Sequence, residues 1–108
     1  MPTDHTEEAA KVFGRYARQY LEKFADHRPY LESYQRFLER LPAQATEILD
    51  VACGPGIFSR FLLDNRPGLR ITGIDLAASM VDVARSHCPG ASFQVMDCRE
   101  INTFDQKF

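Results

Sequence analysis

The stretch ILDVACGPGIFSRF occupies residues 48–61 of a chain of 108 residues and carries its clearest structural signal. Apolar residues surround one acid, Asp50, and are followed by two glycines that flank a proline and then by an amphipathic segment. Glycine adopts positive φ without steric cost, so Gly54 and Gly56 predict a tight turn. A strand that enters a helix through such a turn directs the first N–H groups of that helix towards a ligand.

Strand and helix patterns alternate from residue 46 onward. Apolar runs predict strands at 47–52, 70–75 and 92–96, and periodic stripes predict helices that begin at 57 and cover 78–87. Strands that alternate with short helices form parallel sheets with right-handed crossovers. The sequence therefore predicts an α/β fold with a Rossmann-like, three-layer parallel sheet.

The N-terminal part of the chain has helical patterns only. Apolar spacing predicts one helix from residue 6 to about 26, with Tyr16 and Tyr20 on its stripe, and a second from 29 to about 40. Core packing is the default role of the two tyrosines, and capping of a bound cofactor is the alternative. The expected organisation is a helical leader at 1–42 and a β-α-β-α-β half-domain at 43–108.

Composition argues against several classes of protein. A formal charge of −2 with 26% charged residues gives no support for nucleic-acid binding. Three cysteines without a C-x-x-C pair predict neither a disulfide framework nor a metal site. The sequence has no signal-peptide pattern and no run of the roughly 20 apolar residues that span a membrane. We expect a reduced, cytoplasmic and soluble protein.

Polar or glycine-rich residues follow all three predicted strands. The first strand enters the glycine turn at 53–56, the second ends at Asp75, and the third is followed by Asp97 and Cys98. In open parallel α/β sheets, ligands bind beyond the carboxyl ends of the strands. A glycine turn and two carboxylates at that position predict a ligand pocket.

The residue types at this pocket favour a nucleoside. Asp75 lies about twenty residues beyond the glycine turn, where an acid accepts hydrogen bonds from a ribose diol. Leu76 and Met80 follow at positions suited to packing on an aromatic base, and Asp97 suits an exocyclic amine. The sequence thus predicts a site for an adenosine-bearing cofactor.

Two residues distinguish this pattern from a dinucleotide site. The fingerprint G-x-G-x-x-G requires glycine or alanine at a third position, which Ser59 occupies here. Asp50 precedes the turn, and its negative charge would repel a pyrophosphate. The same charge suits a cofactor that carries an amino group and a positive sulfur, which favours S-adenosylmethionine.

At these residues the chain resembles the class I S-adenosylmethionine-dependent methyltransferases. Their first motif, an acid followed by a glycine turn, is matched by DVACGPG at residues 50–56. Their second motif is matched by GID at 73–75, followed by Leu76 and Met80, and their third by MDC at 96–98. The close part of the resemblance covers about residues 46–100.

The resemblance implies a role for each matched residue. The backbone at 53–56 wraps the methionine part of the cofactor, and Asp50 orients its amino group. Asp75 holds the ribose hydroxyls, while Asp97 and the backbone at Cys98 bind the adenine amine. The predicted cofactor-binding residues are Tyr16, Tyr20, Asp50, Ala52, Cys53, Gly54, Pro55, Gly56, Asp75, Leu76, Met80, Asp97 and Cys98.

The end of the chain departs from the family pattern, because the sequence stops where a fourth strand is expected. We therefore expect an N-terminal, cofactor-binding fragment whose first strand, central in the family sheet, forms an exposed edge. Such an edge is a template for pairing with another chain, so a homo-oligomer is expected through it. The catalytic residues are not identifiable from this segment.

The function predicted from the sequence is transfer of a methyl group from S-adenosylmethionine to a small-molecule acceptor. One alternative is an NAD(P)-dependent oxidoreductase domain, which Asp50 and Ser59 oppose. The other is a non-catalytic module that keeps the cofactor fold for binding a partner. No partner nucleic acid or membrane is predicted.

Overall fold

The computed structural model describes residues 19, 22, 28–104 and 108 of the chain. Most of the helix predicted over residues 6–26, with Tyr16 and Tyr20, lies outside this described part. In chain order the described elements are a 3₁₀ helix (Arg28–Tyr30), α1 (Leu31–Arg40), β1 (Glu47–Val51), α2 (Ile57–Asn65), β2 (Arg70–Asp75), α3 (Ala78–His87), β3 (Ser92–Val95) and a second 3₁₀ helix (Cys98–Thr103).

The three strands form one parallel sheet in the order β1-β2-β3. Asp50 lies opposite Gly73, and Gly73 in turn lies opposite Phe93. Because the strands are parallel and in register, their carboxyl ends meet at one end of the sheet. The α/β fold predicted from the alternating pattern is confirmed, and β1 is an edge of the described sheet.

Helix α2 packs on the first two strands through its apolar side. Phe61 and Leu62 form a buried cluster with Ile71, and Ile48 lies partly buried beside it. Removing a side chain such as Leu62 from water contributes about 1.5–3 kcal/mol to the free energy of unfolding. This packing fixes the direction in which α2 leaves the glycine turn.

Helix α1 contacts α2 through aromatic rings. The ring of Tyr34 lies 4.6 Å from that of Phe58 and 5.3 Å from that of Phe61, measured between centroids. Phe37 meets Phe58 edge-on at 5.2 Å. Tyr34 and Phe37 belong to the stripe that predicts the second helix, so this stripe packs α1 against α2.

Helix α3 packs on the same face of the sheet, over β2 and β3. Val81 and Ala84 share a buried cluster with Phe93, the register partner of Gly73. Ile71 and Gly73 are two residues apart on β2, so both lie on the face of the sheet that α2 covers. Both crossover helices therefore lie on one face, as right-handed connections between successive neighbouring strands require.

Candidate functional site

A cleft of about 270 Å³ opens at the carboxyl ends of the strands, where the parallel topology predicts a ligand. It contains five of the predicted cofactor residues: Ala52, Asp75, Leu76, Asp97 and Cys98. Its other walls are formed by Val51, Ile74, Met96 and Arg99. The fold therefore brings the loops after all three strands into one cavity.

The glycine turn follows Ala52, which lines the cleft, but neither Gly54 nor Gly56 is among the lining residues. Gly54 has φ +55°, and a Cβ built on it would meet no atom within 4 Å. Gly56 has φ +83°, but its Cβ would lie 3.2 Å from the Cβ of Ala84, so this glycine admits helix α3. Ala52 takes φ 58° despite its Cβ, a conformation that costs about 1–2 kcal/mol. Backbone strain of this kind is concentrated at functional sites.

Asp75 ties the glycine turn to the start of helix α3. Its Oδ2 accepts a hydrogen bond from the backbone N–H of Gly54 at 3.0 Å, and its Oδ1 accepts one from the N–H of Ala77 at 2.9 Å. Each carboxylate oxygen has a second lone pair, and the residue lines the cleft. Asp75 can therefore organise the loop and still accept hydrogen bonds from a ligand.

Asp50 lies at the end of β1 and is held from the side of helix α2. The hydroxyl of Ser59, a fully buried residue, donates to Asp50 Oδ2 at 2.8 Å. Burial raises the pKa of Asp50, the hydrogen bond from Ser59 lowers it, and the nearby charge of Asp75 raises it. Asp50 is not among the residues that line the cleft.

Asp97, which lines the cleft after β3, is paired with Arg99. The backbone N–H of Arg99 donates to Asp97 Oδ1 at 2.9 Å, and the guanidinium donates to both carboxylate oxygens. These side-chain and backbone hydrogen bonds from Arg99 lower the pKa of Asp97 to about 2. The carboxylate is therefore ionised at neutral pH with its charge largely offset.

Three other predicted residues lie away from the cleft walls. Met80 is only 4% exposed and packs in a cluster with Ala77 and Val83, and Pro55 is also buried. Cys53 is buried as well, and desolvation, followed by the charges of two neighbouring acids, raises the pKa of its thiol to about 12. A thiol with that pKa is protonated at neutral pH and does not act as a nucleophile.

Sequence reasoning missed two side chains at the site, Ser59 and Arg99. Ser59 stands where the dinucleotide fingerprint has a third glycine, and a hydroxyl between Phe58 and Phe61 in an apolar stripe signals a buried hydrogen bond. Arg99 follows Asp97 by two residues, a spacing that permits a local ion pair. The cofactor-capping role of Tyr16 and Tyr20 stays a prediction, because both lie outside the described residues.

Comparison with known families covers the segment that forms the sheet, apart from the first residue of β1. The family model described as "Methyltransferase domain" matches residues 48–108, which include the glycine turn and all three acids of the site. The chain belongs to the class I S-adenosylmethionine-dependent methyltransferase family. The resemblance inferred from the three sequence motifs is thereby confirmed.

Individual methyltransferases match over most of this chain. The trans-aconitate 2-methyltransferase of Methylobacterium nodulans is 36% identical over 87 residues, which are 80% of this chain and 33% of that protein. The malonyl-[acyl-carrier protein] O-methyltransferase of Enterobacter lignolyticus is 37% identical over 86 residues, 79% and 32% of the two chains. The structure of the DhpI–SAH complex superposes with a TM-score of 0.59 at 29% identity, covering 87% of this chain and 47% of that one. The chain spans about a third of the length of these two curated relatives.

Proposed function

We propose that this chain binds S-adenosylmethionine and forms the cofactor-binding part of a methyltransferase that acts on a small molecule. One observation supports the proposal most directly: Asp75 lines the cleft at the strand ends and also accepts the backbone N–H of Gly54, so this carboxylate connects the cleft to the glycine turn. An ammonium group and a ribose diol are hydrogen-bond donors that carboxylates accept. S-Adenosylmethionine carries both groups.

The residues present fit the separate parts of this cofactor. Asp75 would accept from the ribose hydroxyls, and Leu76, 36% exposed on the cleft wall, offers apolar surface to the adenine. Asp97 or the backbone at Cys98 would bind the adenine amine. The turn at Gly54, where a Cβ would meet no atom within 4 Å, would admit the methionine part, and Asp50 would hold its amino group.

When bound, the cofactor supplies an electrophilic methyl group on a positively charged sulfur that is a good leaving group. The contribution of the chain is positioning, since holding donor and acceptor in line supplies much of the rate. Asp75 fixes the nucleoside and the glycine turn together because it bonds the turn directly. None of the described residues is assigned as a catalytic base.

The acceptor is proposed to be a small molecule. The matched relatives are named for trans-aconitate and malonyl-[acyl-carrier protein], and the acidic balance of this chain does not favour nucleic acid. Among the residues described, no helix has the length and apolar character that crossing a bilayer requires. We propose a cytoplasmic location, with which the free state of Cys53, Cys88 and Cys98 is consistent.

Self-association through β1 is also proposed. In the described sheet β1 pairs with β2 alone, and Val51 at its end is 45% exposed. An apolar edge strand readily pairs with another chain. Sedimentation at high concentration should show a dimer or larger species, whereas a monomer would contradict this part of the proposal.

Calorimetric titration with S-adenosylhomocysteine tests cofactor binding. We expect micromolar affinity for the unmodified chain and a loss of at least tenfold for Asp75→Asn, which removes the charge and one of the two oxygens that accept from Gly54 and Ala77. Asp82→Asn is the matched control, because Asp82 is an exposed acid on helix α3, paired with Arg85. NAD should not bind.

Each outcome bears on a different part of the proposal. Equal binding by the Asp75→Asn and Asp82→Asn variants would place the ligand elsewhere. Tighter binding of NAD than of S-adenosylhomocysteine would replace the methyltransferase reading by an oxidoreductase one. A folded chain that binds neither ligand would contradict the proposed function of this segment.

A further inference from the structure

Ser59 is the third residue of helix α2 (Ile57–Asn65) and is completely buried. Its hydroxyl donates to Asp50 Oδ2 at 2.8 Å, so its hydrogen-bonding capacity is directed at the acid before the glycine turn. Among the described residues, none donates a hydrogen bond to the other carboxylate oxygen, Oδ1. The lone pairs of a carboxylate oxygen can accept a hydrogen bond from a ligand donor such as an ammonium group.

The surroundings of Asp50 oppose its ionisation. Burial disfavours the charged carboxylate, and the charge of Asp75 adds to this effect. The thiols that face the region are Cys53, whose pKa is raised to about 12, and Cys88, whose pKa is also raised, so both are neutral at physiological pH. In contrast, the hydrogen bond from Ser59 lowers the pKa of Asp50 and so favours the ionised carboxylate.

A hydroxyl suits the holding of Asp50 better than a cationic side chain or a glycine would. A lysine or arginine would offset the negative charge of Asp50, as Arg99 does for Asp97. A glycine, which the dinucleotide fingerprint has at this position, would provide no side-chain donor. A serine stabilises the anion through one hydrogen bond and leaves its full charge available to a ligand. The positive end of the α2 dipole acts in the same direction.

We infer that Ser59 is a positioning residue for the cofactor: its hydroxyl orients the Asp50 carboxylate so that Asp50 recognises the ammonium group of S-adenosylmethionine. This inference rests on the proposed function, since it concerns the same site. It assigns selectivity for the amino-acid end of the cofactor to a residue on α2 that contacts Asp50 and is not among the residues lining the cleft.

Two ligands separate this role from a general structural one. S-Adenosylhomocysteine carries the ammonium group, whereas 5′-methylthioadenosine has the same nucleoside and lacks the amino-acid end. We expect Ser59→Ala to weaken binding of S-adenosylhomocysteine about tenfold and to change binding of 5′-methylthioadenosine less than twofold. Ser59→Thr, which retains the hydroxyl, should restore most of the loss. Ser86→Ala is the matched control, because Ser86 is exposed on helix α3.

Two further measurements test whether Ser59 acts through Asp50. Binding of S-adenosylhomocysteine should weaken as pH falls and Asp50 is protonated, and Ser59→Ala should move this loss to higher pH because a hydrogen bond that lowers the pKa is gone. In an Asp50→Asn background, Ser59→Ala should have little additional effect on binding. If Ser59→Ala fails to fold by circular dichroism, Ser59→Cys keeps the volume with a weaker donor and should show the same trend.

Equal weakening of both ligands by Ser59→Ala would overturn the inference, because it would show that Ser59 only supports the loop. Unchanged binding of S-adenosylhomocysteine would overturn it as well and leave the proposed function intact. If the folded, unmodified chain binds neither ligand, the proposed function fails and this inference fails with it.

Discussion

Gly73 lies at the centre of the sheet, and its replacement by alanine should destabilise the fold to an extent that the structure defines. A Cβ at this position would lie 2.5 Å from Phe93 Cδ1, 2.6 Å from Phe93 Cε1 and 3.0 Å from the Cβ of Cys53. Real Cβ atoms do not approach carbon so closely, so the ring has to move. Phe93 is only 4% exposed and packs against Val81 and Ala84, which leaves it little room.

The size of the effect follows from two opposing contributions. Overpacking a core usually costs about 1–3 kcal/mol. Replacing glycine by alanine within a strand adds about 0.5–1 kcal/mol to the free energy of unfolding, because the unfolded chain loses conformational freedom. We therefore expect Gly73→Ala to lower the free energy of unfolding by about 1–2 kcal/mol. In a domain of this size that corresponds to a fall in Tm of about 5–15 °C.

Thermal unfolding followed by circular dichroism measures this effect, with two other glycines as controls. A Cβ at Gly68 would meet no atom within 4 Å, and Gly68 does not have a positive φ. The Tm of Gly68→Ala should therefore equal that of the unmodified chain or be slightly higher. Gly54→Ala also meets no atom, but its φ of +55° should lower stability through backbone strain alone. Gly73→Ala combined with Phe93→Leu should lose less stability than the two single changes together. Equal Tm values for Gly73→Ala and Gly68→Ala would show that the ring of Phe93 accommodates the added methyl group without a loss of stability, contrary to this prediction.

Three further predictions follow from the charges and thiols of the site. Burial raises the pKa of Asp50 in the folded state, so the ionisation of Asp50 lowers the stability of the fold as pH rises through that pKa. Asp50→Asn should therefore raise Tm at pH 7, and this gain should vanish at low pH, where Asp50 is protonated. The same variant should weaken the binding of S-adenosylhomocysteine. Arg99→Gln should return the pKa of Asp97 from about 2 towards its ordinary value, which carboxyl NMR titration would reveal; an unchanged pKa would contradict the role given to the ion pair. In the native chain Cys98 should react rapidly with a thiol reagent and be protected by S-adenosylhomocysteine, whereas buried Cys53, with a pKa of about 12, should react only after unfolding.

The elements with strong local patterns could be predicted from the sequence closely. Strand β2 and helix α3 have the predicted bounds, because each begins and ends at a clear change of pattern. Strand β1 ends at Val51, one residue before the predicted end, because Ala52 adopts positive φ and leaves the extended conformation. The helix predicted to begin at residue 29 starts as a 3₁₀ helix and becomes α-helical only at Leu31.

Side-chain partners at the site were less predictable, because they depend on how the elements pack. The placement of Asp75 and Asp97 at the strand ends follows from topology alone, and both line the cleft. The helical spacing of Met80 fits either a place in the core or contact with a cofactor. Only the packing of α3 shows that Met80 is buried in a cluster with Ala77 and Val83. The bond from Ser59 to Asp50 joins residues on different elements, whose proximity no sequence period predicts.

The three acids of the site are held by different groups, and this difference bears on the choice of cofactor. Arg99 offsets the charge of Asp97, whereas Asp50 is held by a neutral hydroxyl and Asp75 by two backbone N–H groups. The negative charge beside the glycine turn therefore stays largely uncompensated. In addition, the N–H of Gly54 already donates to Asp75, so it is not free for a phosphate oxygen. A pyrophosphate would meet repulsion and lose that donor, whereas a cofactor with an ammonium group and a sulfonium would be attracted by the same carboxylates.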